Sequence, residues 1–188
     1  MDLFMKFADI PKFTRPGNYQ INIPISYLKN VLEDYKNDFG LEMNPDFQRG
    51  NVWSEEQQIA YVEYFLRGGR SSRIIYFNHP DFVGFANKDT DIPYMVLVDG
   101  LQRLTAMLRF LDNEIPAFGC YFKDFEDIPR KIDYDFIFNV NNLQYRRDVL
   151  QWYIDMNSGG TVHSHEEITR VRKLLEAETK TKTKEAER

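Results

Sequence analysis

Tyr94-Met95-Val96-Leu97-Val98-Asp99-Gly100-Leu101-Gln102-Arg103-Leu104-Thr105 is the stretch on which the fold turns. Its first five residues are apolar without a break, the pattern of a strand buried on both faces. Leu101, Leu104, Leu108 and Leu111 then recur at helical spacing, which predicts a helix closed by Asn113 and Pro116. Between strand and helix stands Asp99-Gly100, a tight turn. The first N–H groups of a helix that starts so abruptly point beyond the strand end, where the helix dipole favours an anion. Arg103 adds a permanent charge whose fork matches phosphate oxygens. Asp99 can orient Arg103 or hold a phosphate-bound metal. An ordinary strand-to-helix turn with a solvent-facing arginine fits the same spacing equally well.

Upstream, residues 1–18 carry Pro11, Pro16 and Gly17 and read as an irregular lead-in. The alternation Tyr19-Gln20-Ile21-Asn22-Ile23 predicts a short strand ending at Pro24. A helix opens at Ser26 with Leu28, Val31, Leu32 and Tyr35 on one face. Asn44-Pro45-Asp46-Phe47-Gln48-Arg49-Gly50-Asn51-Val52-Trp53 holds too many turn formers for a regular element. Phe47 and Trp53 read as its anchors, able to hold Gln48 and Arg49 over a cleft. The bland alternative is a pinned loop with a snorkelling arginine. Ser54-Glu55-Glu56-Gln57 is a capping box opening a second helix, with Ile59, Val62 and Leu66 turned to the core and Gly68-Gly69 at its end. Arg73–Phe77 predicts a strand, and residues 78–93 a polar connection in which His79 is a surface residue.

Downstream, strands are expected over 117–122 and 134–140 and a helix over 145–156. Asn157-Ser158-Gly159-Gly160 follows, where paired glycines admit close backbone approach to a ligand or simply cap the helix. Ser164 and Glu167 form a capping box for a last helix that fades into the solvated tail Lys180-Thr181-Lys182-Thr183-Lys184. Strands mixed with helices in this order make an α+β fold.

Composition narrows the function classes. The 188 residues include 43% hydrophobic and 15% aromatic side chains, enough for a sizeable core. A formal net charge of -5 argues against a protein held to nucleic acid by bulk charge, although 24 Lys and Arg allow a local basic groove. The lone Cys120 excludes an intramolecular disulfide and reads as a buried strand residue rather than a nucleophile. Met1–Lys6 has no signal-peptide pattern, and no apolar run approaches the roughly 18 residues a bilayer demands. Cytoplasmic residence, in a bacterial cell or a phage-infected host, and no membrane partner are expected. His163 and His165 beside Glu166 and Glu167 have poor metal-ligand spacing. Asp124, Glu126, Asp127, Asp133 and Asp135 read as a solvated acidic face, with a two-metal nuclease site as the sharper alternative.

Taken together, Pro-x-Phe-Gln-Arg-x-x-Val-Trp, Asp-Gly-x-Gln-Arg-Leu-Thr and Asn-x-Gly-Gly resemble, in order and spacing, the ParB/sulfiredoxin-like N-terminal domain of GmrSD-type modification-dependent restriction proteins. The resemblance runs from about Tyr19 to Leu175. It implies a small mixed sheet with flanking helices over 19–143 and a C-terminal helical extension over 144–188. By position it assigns Asp99, Gln102 and Arg103 to catalysis. Gly100, Gln48, Arg49, Asn157, Gly159 and Gly160 would bind nucleotide and phosphate, and Asp99 would hold magnesium. Two departures stand out: Leu101 replaces the family's usual first glutamine of Asp-Gly-Gln-Gln-Arg, and Asp155 stands where relatives often carry arginine. The His-Asn-His nuclease half that many relatives carry has no counterpart in these residues, so no cutter is evident.

The leading expectation is a nucleotide-dependent enzyme of DNA transactions. It would bind ATP, GTP or CTP with Mg2+ and hydrolyse it or transfer its phosphoryl group, as a DNA kinase does. The alternatives are a metal-dependent nuclease of modified or foreign DNA, and a non-catalytic nucleotide or DNA switch that recruits a protein partner. DNA, a protein partner and a homo-oligomer are the remaining partner expectations.

Overall fold

The structure, a computed structural model, describes residues 19–48, 50, 52–82, 84, 90–127, 135–158 and 165–186. The lead-in 1–18, Arg49, Asn51, Asp133, Gly159, Gly160, Thr161, His163 and Ser164 lie outside the described residues, as do the side chains of His165, Glu166 and Glu167.

Among the described residues four strands and five α-helices follow one another as β1 (Tyr19–Pro24), α1 (Leu28–Phe39), α2 (Glu55–Leu66), β2 (Ile74–Asn78), β3 (Val96–Asp99), α3 (Leu101–Leu111), β4 (Asp135–Asn141), α4 (Arg146–Ser158) and α5 (His165–Ala186). The sheet order is β1-β4-β2-β3. β4 runs antiparallel to β1 and parallel to β2, and β2 runs antiparallel to β3 with an irregularity between Tyr76 and Phe77. The expected α+β fold with a mixed sheet and flanking helices is therefore observed.

Alternation along the strands divides the interior in two. Ile75, Phe77, Leu97, Phe136, Phe138 and Val140 join the buried faces of α1, α2 and α3. Val96 and Val98 join Phe47 and the buried residues of α4 and α5, with Tyr76 packed against them. Helices thus cover both faces of the sheet at β2 and at the edge strand β3, which is why β3 reads as continuously apolar. On its outer edge β3 meets the segment after α1: Leu97 N donates to Glu42 O at 3.0 Å and Glu42 N to Met95 O at 2.8 Å. That rung leads residues 44–53 to the C-terminal end of β3. Among the described residues no helix is long and apolar enough to cross a membrane.

Several local expectations are corrected. The segment 117–122 is not a strand: Phe118 (φ 52°) and Gly119 (φ 78°) make a two-residue turn that returns Cys120 to bond with Ala117. Cys120 is consequently exposed instead of buried. His79 is buried, because its N–H extends the β2–β4 ladder to Asn141 O at 2.9 Å and its ring packs edge-on against Phe39. On α2 the buried stripe is Gln58, Tyr61, Val62 and Phe65, with Ile59 and Leu66 at its margins. A 3-10 turn at Ile25–Tyr27 precedes α1 where a helix from Ser26 was expected. The last helix does not fade at the Lys-Thr repeat but runs to Ala186.

Candidate functional site

Gly100 alone makes the turn between β3 and α3, at φ 119° and ψ 5°. A Cβ there would lie 2.6 Å from Ile75 Cδ1 and 3.0 Å from Ile75 Cγ2. Glycine is needed both for the backbone angle and for the close approach to β2. Among the described residues no side chain caps α3 at this end.

Arg103, one turn in, folds back on the strand ends. Its Nη1 donates to the Ile74 carbonyl at 2.7 Å and its Nη2 to Asp99 Oδ2 at 2.5 Å. The side chain is 15% exposed, against 34% for Asp99. Two contacts on one planar group fix its orientation, and among the described residues its other N–H groups could serve an anion. Arg103 also acts electrostatically on Tyr61, whose hydroxyl donates to Ser72 O at 3.0 Å. Burial raises its pKa, while the charges of Arg103 and Arg73 pull it down, and the net shift is upward.

The loop over this turn is held by side-chain amides. Gln48 Nε2 donates to the carbonyls of Leu97 (2.7 Å) and Val98 (3.1 Å). Gln102 Oε1 accepts from the N–H groups of Val52 (2.9 Å) and Trp53 (3.0 Å), and its Nε2 donates to Gly50 O at 2.5 Å. Gln58 Nε2 donates to Trp53 O at 3.0 Å, while Arg109 donates to Gln58 Oε1 at 2.8 Å. Phe47 is fully buried, its ring 5.3 Å from that of Tyr153. An irregular segment has no ladder of its own, so its backbone groups take these partners instead.

Between loop and turn opens a cleft of about 150 Å³ lined by Gln48, Trp53, Asp99, Gly100, Leu101, Gln102, Arg103 and Tyr153. Six of these lining residues belong to the motifs, namely the expected site residues Gln48, Asp99, Gly100, Gln102 and Arg103 and the anchor Trp53, so tertiary structure brings them together. Asn157 is not among them: its Nδ2 donates to Tyr153 O at 2.7 Å, one turn back on α4. Arg49, Gly159 and Gly160 lie outside the described residues. Leu101 is 9% exposed and packs into the core, so this departure is absorbed by burial. Asp155 accepts from Gln151 Nε2 at 3.0 Å and does not line the cleft. Neither departure puts an acidic group into it.

Sequence reasoning missed Gln58 and Tyr153. Gln58 had a signal, a polar residue on the stripe otherwise formed by Tyr61, Val62 and Phe65. Tyr153 had none, since a tyrosine on a helix is ordinarily core. The exposed Asp124, Glu126 and Asp127 stand apart from the cleft. Among the described residues no three His, Cys, Asp or Glu side chains gather as a metal site. Magnesium here would have Asp99 as its carboxylate, with Oδ2 already against Arg103, and would draw its other ligands from phosphate and water, as magnesium commonly does.

Comparison with known families agrees with the motif reading. The model of the GmrSD restriction endonuclease N-terminal domain matches residues 28–149, a span that holds every lining residue except Tyr153. Comparisons with curated proteins and with solved structures return no match. With well over half of its length matched and the family's turn and loop assembled around one cleft, the chain belongs to the GmrSD restriction endonuclease N-terminal domain family.

Proposed function

We propose that the cleft binds the phosphates of a nucleoside triphosphate and that the protein hydrolyses it or transfers its phosphoryl group in a restriction-related DNA transaction. The observation that carries this reading is the fixed guanidinium of Arg103 beside the start of α3, which no described side chain caps, both at a cleft lined by the motif residues. Phosphoryl transfer asks mainly for positioning and charge neutralisation, which such a constellation supplies. The cleft's volume of about 150 Å³ is small beside the roughly 300–1,000 Å³ of sites that enclose a whole ligand. It suits the phosphate chain, with sugar and base extending past Trp53 and Tyr153.

On this reading Arg103 and Arg49 neutralise phosphate charge, and Gly100 with the α3 N–H groups cradles the chain. Gln48 and Gln102 act by holding the loop. A direct contact of Gln102 with phosphate or the attacking water requires exchange of one of its three backbone bonds. Asp99 orients Arg103 and is the candidate base. Magnesium, when bound, neutralises charge between the phosphate oxygens. The ParB/sulfiredoxin likeness of the mixed sheet and the involvement of modified DNA belong to the same proposal; the family's description supports its restriction-related part.

The test is triphosphate binding and turnover by the wild type, Arg103→Ala and Arg103→Lys, with magnesium, with and without DNA, for each of the four nucleotides. Loss of turnover in Arg103→Ala, partly restored in Arg103→Lys, is the expected result. Label appearing on DNA identifies a phosphotransferase. Absence of both binding and turnover in the wild type overturns the nucleotide reading.

A further inference from the structure

We propose that Arg170 of α5 is a positioning residue for the cleft, setting the loop from which Gln48 enters it. Arg170 Nη1 donates to Asp46 O, and Nη2 donates to both Phe47 O and Gln48 O, each at 2.9 Å. Three successive carbonyls converge on one guanidinium because residues 45–48 form a turn, with Gln48 N donating to Pro45 O at 2.8 Å. Carbonyls aligned in this way resemble the open end of a helix, and a cation with several donors is their natural partner.

The placement of Arg170 is not left to a swinging side chain. Ile168 and Val171, on either side of it, are buried in the cluster that also holds Phe47, Val149 and Tyr153. Anchored through both neighbours, α5 cannot rotate without exposing them, so Arg170 is held over the loop. A second tie runs in parallel: Arg146 of α4 donates to both carboxylate oxygens of Asp46 (2.8 and 2.9 Å) and to Glu178 of α5 at 3.0 Å. Gln48 is thus gripped at both ends, its carbonyl by α5 and its side chain by β3. Arg170 lies beyond the matched residues 28–149, so the family comparison does not imply this contact.

Arg170 is exposed, and two of its three bonds, to Asp46 O and Gln48 O, lie at the surface, while that to Phe47 O is part-buried. Its loss should therefore loosen the loop while leaving the core intact. The link to ligand binding rests on the nucleotide reading; the link to the loop does not.

Hydrogen exchange of wild type, Arg170→Ala and Arg170→Lys, with magnesium-ATP, -GTP and -CTP titrations of each, tests it. Arg170→Ala is expected to speed exchange in peptides covering 46–53 about tenfold while α1 and β4 stay unchanged, and to weaken nucleotide binding about tenfold. Arg170→Lys should fall between, since an ammonium cannot match the fork on three carbonyls. Unchanged loop exchange in Arg170→Ala overturns the proposal, as does acceleration spread over the whole chain. Unchanged nucleotide affinity with a loosened loop overturns it too. If the wild type binds no nucleotide, the functional reading fails separately, and the loop exchange still decides the role of Arg170.

Discussion

Gly100→Ala perturbs the floor of the cleft, and its cost divides into two parts with different remedies. The backbone stands at φ 119°, outside the left-handed basin that L-residues tolerate, which costs about 1–3 kcal/mol for alanine. The new methyl also meets Ile75, at 2.6 Å from Cδ1, 3.0 Å from Cγ2 and 3.5 Å from Cα. Ile75 is fully buried, so relieving that overlap costs a further ~1–3 kcal/mol. The sum, about 2–6 kcal/mol, is a large share of a typical domain's stability. Ile75→Val removes Cδ1 and by itself costs about 0.5–1.5 kcal/mol. In that background Gly100→Ala should cost less by ~1 kcal/mol or more, because the shortest contact is gone while the backbone angle and Cγ2 remain. Urea unfolding of the four proteins in this cycle reads both parts. Equal costs in the two backgrounds would refute the steric part. A total below ~0.5 kcal/mol would refute the claim that this turn requires glycine.

Two further perturbations follow from the same geometry. Gln102→Glu keeps an acceptor for Val52 and Trp53 but sets an oxygen against Gly50 O, so at neutral pH it should destabilise by about 1–3 kcal/mol. Protonation restores a donor, so the deficit relative to wild type should shrink as pH falls, and a pH-independent deficit in urea midpoints would contradict the assignment. His79 is held below its ordinary value of 6.5, chiefly by burial and against the pull of Asp81, and its Nδ1 accepts from Asp81 N at 3.2 Å. The folded state therefore binds this proton less readily than the unfolded one. Its contribution is intact above 6.5 and is lost as pH falls through 6.5 toward the depressed folded value. His79→Asn, which keeps an acceptor without the titration, should flatten that part of the melting-temperature profile. Parallel wild-type and variant profiles would refute it.

Much of the fold was legible because strand and helix periodicity are local. The apolar run into Asp99-Gly100 and the leucine stripe after it correspond to β3 and α3, and Ser54 caps α2 through the box read from Ser54 and Gln57. The motif residues of the turn and loop were legible as a set, and six of them, Trp53 included, line one cleft. Where the expectations failed, local pattern was overruled by one conformational detail. Phe118 in a left-handed conformation turned an apparent strand into a reversal and brought Cys120 to the surface, and one ladder bond drew His79 inside.

Local pattern fixed the α+β class and the strand–turn–helix with its arginine, but not the full order of elements, since the strand read over 117–122 is a turn. Those follow from the spacing of neighbours along the chain. Tertiary contacts set the roles of Gln102, Gln58 and Arg170, all engaged on the backbone of one loop, and of Gln48, whose side chain ties that loop to β3. Gln102 meets that loop from 52 residues away and Arg170 from 124. A backbone carbonyl or N–H takes whichever partner folding brings within hydrogen-bond reach, and no local periodicity encodes that choice.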